Sequence, residues 1–140
     1  MTDHGDFIWH DLVTPDQKSS GHFLSELLGW TTKEVDAGPF GVYTLFQKDG
    51  RDVAGMMNPT PESPLAESGQ SRWHTYVSVA NVDECAERVP NLAGKLLVPP
   101  HDVPGVGRVC LIAEPNGIFP PWLCSLLRRG EENGNFFSHC

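Results

Sequence analysis

Two short stretches carry residue types that can do chemistry. "SRWHTYVSV", Ser71 to Val79, places His74 beside Trp73 and two residues before Tyr76. "IWHDLVT", Ile8 to Thr14, nearly repeats it, with Trp9, His10 and Asp11 in a row. Imidazoles and carboxylates are ligands for zinc, nickel, manganese or iron, with geometry deciding among them. The same groups also serve as general acids and bases. The plainer alternative for His74 is a hydrogen-bonded polar group in a pocket. Laid over each other, Trp9 falls on Trp73 and His10 on His74, an offset of 64 residues.

The elements that position these residues follow from pattern. Trp73, Thr75, Val77 and Val79 alternate with His74, Tyr76 and Ser78, which is the signature of a half-buried strand with the polar set on one face. Phe7 to Thr14 is a second strand-like run. "TPD" follows it: Thr14 can cap, Pro15 suits a first turn and Asp16 favours a helix start. Phe23, Leu24, Leu27 and Leu28 recur at helical spacing and Gly29 supplies a stop, so a helix is expected over 15–28. Gly41–Gln47 and Asp52–Met57 read as strands around the turn "KDGR". Gly55 marks a bulge or a close backbone approach. After Val79, Asn81 opens a second helix, "NVDECAERVPNLAG", whose end Pro90 bends or shortens. Lys95–Val98 is a strand, "PPHDVPGVG" a loop, Arg108–Ala113 a strand and "EPNG" a tight turn. Ile118–Cys124 is a last, irregular strand because of Pro120 and Pro121.

Strand, helix and strands thus occur twice. Module one spans about 6–58, a Pro/Ser-rich linker about 59–71, module two about 72–124, and a tail without periodicity 125–140, expected either to be mobile or to pack through Phe136 and Phe137 alone. A helix followed by strands covers one face of a sheet and leaves the other open, so two such sheets can cup a cavity.

Composition narrows the function. The chain has 140 residues, 39% of them hydrophobic, and a net charge of −8. That is one domain with a real core. It is a poor surface for nucleic acid, which needs clustered Lys and Arg. No apolar run approaches the roughly 18 residues that cross a bilayer, and "MTDHGDF" does not read as a signal peptide. Cys85, Cys110, Cys124 and Cys140 form no C-x-x-C pair, which fits free thiols in a reducing cytoplasm. Cys85 and Cys110 sit in apolar contexts and read as buried and inert. "GVGR" is a turn and not a phosphate loop, since it lacks the helix and the Lys. His4, His22, His101 and His139 read as solvated.

The order and the residues resemble the vicinal oxygen chelate superfamily of glyoxalases, bleomycin-resistance proteins and extradiol dioxygenases. The pieces that carry this are "IWHDLVTPD" leading to "GHFLSELLGW", then "YTLFQKDGRDVAGMM", "WHTYVSVANVDECAERV" and "PPHDVPGVGRVCLIAEPNG", from about Phe7 to Leu123. Glu114 stands where the family usually has Asp. The chain looks closest to a glyoxalase-like group with a Trp-x-acid-Leu first strand, here Trp9-His10-Asp11-Leu12. The resemblance implies an α+β fold of two βαβββ-type modules forming a cupped mixed sheet, often as a homodimer.

The resemblance also implies where ligands to one divalent ion (zinc, nickel, manganese or iron) would stand. They come from the first and last strands of each module. Counting back seven from Asn81 reaches His74. Counting back seven from Asp16 reaches Trp9, which cannot bind metal. The "WH" echo instead aligns His10 with His74. One residue of register flips every side chain, so His10 faces the cup in one register and Trp9 with Asp11 in the other. The second keeps the family's distance from Asp16 to Gly29. The carboxylate slots hold Met56 or Met57 and Pro121, none of which supplies oxygen. A site of His74 and His10 alone would hold metal weakly.

The resulting expectation is a small organic molecule bound in the cup, without a complete metal site and with no cofactor required. Trp9, Asp11, Met56, His74, Tyr76 and Arg108 are its lining, and a flat ligand suits the aromatic and Met content. Asp11 on a core strand needs a partner, with Arg108, His74 or backbone as candidates. The alternatives are a metal-dependent glyoxalase-like lyase, isomerase or dioxygenase, with His74 and Asp11 catalytic, and a protein-interaction module. Expected partners are a small organic ligand and a second copy of the chain, with no nucleic acid and no membrane.

Overall fold

Asp16 opens the first helix: its side chain accepts the Ser19 backbone N–H at 3.0 Å. The helix therefore starts two residues later than the capping pattern suggests, and Thr14 does another job. Its hydroxyl accepts the Asp16 N–H at 3.2 Å and pairs with the Ser20 and Ser71 hydroxyls at 2.9 and 2.8 Å. Gly29 ends the helix at φ 71°, a left-handed value that glycine adopts without strain.

The structure is a computed structural model that describes residues 4–36, 41–59, 71–103, 106–117 and 121–126. Module one runs β1 (Phe7–Val13), α1 (Gln17–Leu28), β2 (Thr31–Asp36), β3 (Val42–Lys48) and β4 (Arg51–Met57). Module two runs β5 (Arg72–Ser78), α2 (Val82–Arg88), a 3-10 turn (Pro90–Leu92), β6 (Lys95–Val103), β7 (Gly107–Ala113) and β8 (Trp122–Leu126). The fold is thus the expected α+β repeat of two βαβββ modules. The expected linker falls largely, and the tail almost wholly, outside the described residues, with Phe136, Phe137, His139 and Cys140. No helix among the described residues is long and apolar enough to cross a membrane.

The described residues form two compact units, one from His10 to Trp73, the other joining the residues up to Trp9 with those from His74 onward. In the first, β2 and β3 are antiparallel, as are β3 and β4, and β1 pairs parallel with β4, with Asp11 opposite Gly55 and Leu12 opposite Met56. In the second, β6–β7 and β7–β8 are antiparallel and β5 pairs parallel with β8, with Tyr76 opposite Trp122.

Each helix buries one face of its strands. Leu12, Phe46, Ala54 and Met56 form the module-one core, with Leu24, Trp30 and Val53 packed against it. Phe46 is fully buried, and Trp30 tilts against it with ring centroids 5.2 Å apart. Full burial of such a side chain contributes about 1.5–3 kcal/mol. Of the helical apolar residues only Leu24 joins this core, while Phe23 and Leu27 stay 62% and 65% exposed. Val79, Val82, Ala86, Cys110 and Leu123 form the module-two core, joined by Val77, Cys85, Leu96 and Ile112.

Two elements depart from the sequence reading. β2, "TTKEVD", is almost wholly exposed and ends its ladder, so it carries no apolar face to announce it. β6 runs through Pro99 and Pro100, which were expected in a loop. It too ends its ladder, with register shifts between Leu96 and His101, and there a missing N–H costs no sheet bond.

Candidate functional site

Strand alternation builds the candidate site in module two. Val77 and Val79 pack with α2, so His74, Tyr76 and Ser78 point to the opposite face. Leu123 also packs with α2, which turns Trp122 onto the face of His74. There the Trp122 indole Nε1–H donates to His74 Nδ1 at 3.0 Å. Trp122 stacks on its cross-strand partner Tyr76, with centroids 6.2 Å apart and planes 13° apart. His101, on β6, meets Trp122 edge-on at 6.3 Å and 76°. A backbone contact steadies its ring, with Nδ1 3.0 Å from the Pro99 carbonyl. His74 is buried, Tyr76 and Trp122 are half-buried and His101 is exposed. The result is a row of flat π surfaces reachable from solvent, with a buried imidazole beneath one end.

Module one carries a second polar arrangement, on the face away from α1. Leu12 and Met56 lie in the core under α1, so Asp11 and Gly55 face the other way. The Tyr43 hydroxyl donates to Asp11 Oδ1. A Cβ on Gly55 would strike that hydroxyl, its Cζ and Asp11 Oδ1. The close approach that Gly55 signals is therefore made by a phenol ring. Asp11 and Tyr43 are 3% and 6% exposed.

Several expected site residues stand elsewhere. Met56 is 2% exposed within the core under α1, so it does not line an open face. Arg108 is on the helix side of β7. It binds both Asp83 carboxylate oxygens, at 2.7 and 3.0 Å, and Asp102 at 3.1 Å, so it serves as a surface tie between α2, β7 and β6. Asp11 finds Tyr43 and not Arg108. His10 is exposed and, by alternation with Leu12, lies on the helix side of β1, not on the face of Asp11. Trp9 is buried at 3% exposure, in the unit that holds His74. His4 is not simply solvated, since its Nδ1 accepts the Ala80 N–H at 3.0 Å.

Trp122 and His101 are the site residues that the sequence reading passed over. The last-strand ligand slot implied by the resemblance falls on Pro121, one residue short of the side chain that reaches His74. His101 falls in "PPHDVPGVG", which reads as a loop, and the structure places it on β6.

Cys110 and Cys124 are poor nucleophiles. Cys110 and Cys124 are fully buried. Burial raises the Cys110 thiol to about 11, helped by Cys85 and Asp83, and raises the Cys124 thiol to about 12. Both are protonated at neutral pH.

The described side chains do not fit a divalent ion at the positions where the resemblance places its ligands. The first-module carboxylate slot holds Met56 or Met57 and the second holds Pro121 with Trp122 beside it, and a thioether, a pyrrolidine and an indole are no substitutes for Glu. Among the described residues no three His, Cys, Asp or Glu side chains gather where they could hold a metal ion.

Residues 7–119 match the model of the Glyoxalase/Bleomycin resistance protein/Dioxygenase superfamily. The chain belongs to this superfamily. Within it, the chain is 30% identical over 136 residues to the anthracycline biosynthesis protein DauV of Streptomyces sp. (strain C5), covering 90% of this chain and 50% of that one. It is 32% identical over 110 residues to the putative glyoxylase CFP32 of Mycobacterium bovis (strain ATCC BAA-935 / AF2122/97), covering 78% of this chain and 41% of that one. The chain thus spans half or less of the length of these relatives. Among solved structures, methylmalonyl-CoA epimerase from Mycobacterium tuberculosis shares the superfamily fold with a TM-score of 0.61 at 15% identity, over 89% of both chains. A mutant 4-hydroxymandelate synthase from Streptomyces coelicolor does so with a TM-score of 0.61 at 16% identity, over 89% of this chain and 39% of that one.

Proposed function

We propose that the chain binds a small, flat, unsaturated organic molecule on the module-two face formed by Tyr76, Trp122 and His101, without a metal ion. The observation that carries this is the stacked pair of Tyr76 and Trp122, with planes 13° apart and both rings half-buried. Aromatic surface of this kind gains from offset stacking, beyond the area it buries. A few placed polar groups among apolar walls are the usual make-up of a small-molecule site, and His74 and His101 supply them here. The name of the Streptomyces relative points the same way, because anthracyclines are built on flat fused rings.

Anthraquinone-2-sulfonate is a suitable probe, being flat, soluble and rich in carbonyl oxygens. Calorimetric titration of the full chain is expected to show saturable one-to-one binding. Tyr76→Leu keeps apolar bulk but loses the ring, and is expected to weaken the affinity roughly 2- to 10-fold. Affinity unchanged by Tyr76→Leu would remove the face from the site.

A further inference from the structure

We infer that Trp122 fixes His74 in the tautomer whose proton sits on Nε2, which makes His74 a hydrogen-bond donor and takes it out of metal ligation. An indole Nε1–H can donate and cannot accept. It stands 3.0 Å from His74 Nδ1, so Nδ1 meets it with a lone pair. A neutral imidazole carries one proton, and that proton is then on Nε2. A histidine that binds metal through Nε2 needs the reverse: a lone pair on Nε2 and an N–H on Nδ1, normally held by a carbonyl or carboxylate. Trp122 presents a donor where such a histidine requires an acceptor.

The indole is held in this position from two sides. Tyr76, its register partner on β5, lies parallel to it, and His101 on β6 meets it edge-on. Turning the imidazole over to free Nε2 would place a C–H against the indole donor and forfeit that bond. Losing that bond would leave the indole donor unsatisfied in a largely buried setting, which disfavours the turned ring. Three strands of module two therefore act together to set one proton. Any group that pairs with His74 through Nε2 is an acceptor, such as a carbonyl oxygen, and not a cation. Only this last consequence rests on the face being a ligand site.

Long-range 1H–15N correlation spectra of the 15N-labelled full chain test the inference without any ligand, with the His74 ring signals assigned by their loss in His74→Gln. Near neutral pH, Nδ1 is expected to show the shift of an unprotonated nitrogen and Nε2 that of a protonated one. Equimolar Zn2+ is expected to leave both in place. In Trp122→Phe, the two shifts are expected to move toward each other as the tautomers mix. A protonated Nδ1 in the wild type would overturn the inference, and that result needs no variant to fold. Selective movement of the His74 nitrogens by Zn2+, or an unchanged pattern in a folded Trp122→Phe chain, would overturn it as well. Failure of anthraquinone-2-sulfonate to bind would strike the ligand reading alone.

Discussion

The Tyr43 hydroxyl occupies the space that a side chain on Gly55 would need, and there it donates to the Asp11 carboxylate. Glycine on β4 is thus the counterpart of a phenol on β3 and an acid on β1. Gly55→Ala forces the ring or the carboxylate aside. The expected cost is about 1–3 kcal/mol in urea denaturation, the usual range for an overpacked interior. The loss should shrink in a Tyr43→Leu background, because the obstructing hydroxyl is gone. Equal losses in both backgrounds would contradict the placement.

Tyr43→Phe takes one donor from a buried carboxylate. Losing one partner of a buried hydrogen bond costs about 1–3 kcal/mol, so a loss of that size is expected. In a double-mutant cycle with Asp11→Ala, the second substitution should cost less than it does alone. Strict additivity would mean that the two groups do not share a bond.

Arg108 offers a control for the site. Its bonds to Asp83 and Asp102 are exposed and lie on the helix side of the sheet. Arg108→Gln should leave affinity for anthraquinone-2-sulfonate unchanged. It should lower the melting temperature slightly, and less so at high salt. The Arg108 guanidinium holds the Asp83 carboxyl below its ordinary value of 3.8. Whatever stability this pair adds is therefore present above that pH and is lost as pH falls below it. Weakened probe binding in Arg108→Gln would return Arg108 to the site.

The buried thiols set an alkaline limit. Their ordinary value is 9.0, and burial raises Cys110 to about 11 and Cys124 to about 12. Above the ordinary value the unfolded chain releases protons that the folded chain keeps. Stability contributed by these groups is present below pH 9.0 and falls as pH rises towards 11–12. Denaturation midpoints should drop across this window, and the drop should be shallower in Cys110→Ala and Cys124→Ala. Both thiols should react with a disulfide reagent only after unfolding. Fast labelling of the native chain would contradict their burial.

Much of this molecule is legible in its sequence, and the exceptions have physical causes. β5 reads clearly because one face packs under α2 and alternation follows, and β1 because its apolar and aromatic residues suit a strand. The sequence left two registers open for the first strand, and the structure places Leu12 under α1, on the side that the register with Trp9 and Asp11 away from the helix requires. β2 was illegible because an exposed ladder end needs no apolar pattern. β6 was hidden by Pro99 and Pro100, which a terminal strand tolerates. The site was half legible. His74 and Tyr76 share a local alternation. Trp122 lies 48 positions along the chain from His74 and meets it only through the parallel pairing of β5 and β8. Met56 looked like a wall because its residue type suits one, and only its place under α1 decides otherwise.

In the proposed function a flat ligand rests on Trp122. The most direct measurement follows the Trp122 indole N–H resonance while anthraquinone-2-sulfonate is added to the 15N-labelled chain. A saturable shift is expected, with the Tyr76 and His101 ring signals moving along the same curve. A binding curve seen only at residues outside module two, with the Trp122 signal still, would contradict the claim.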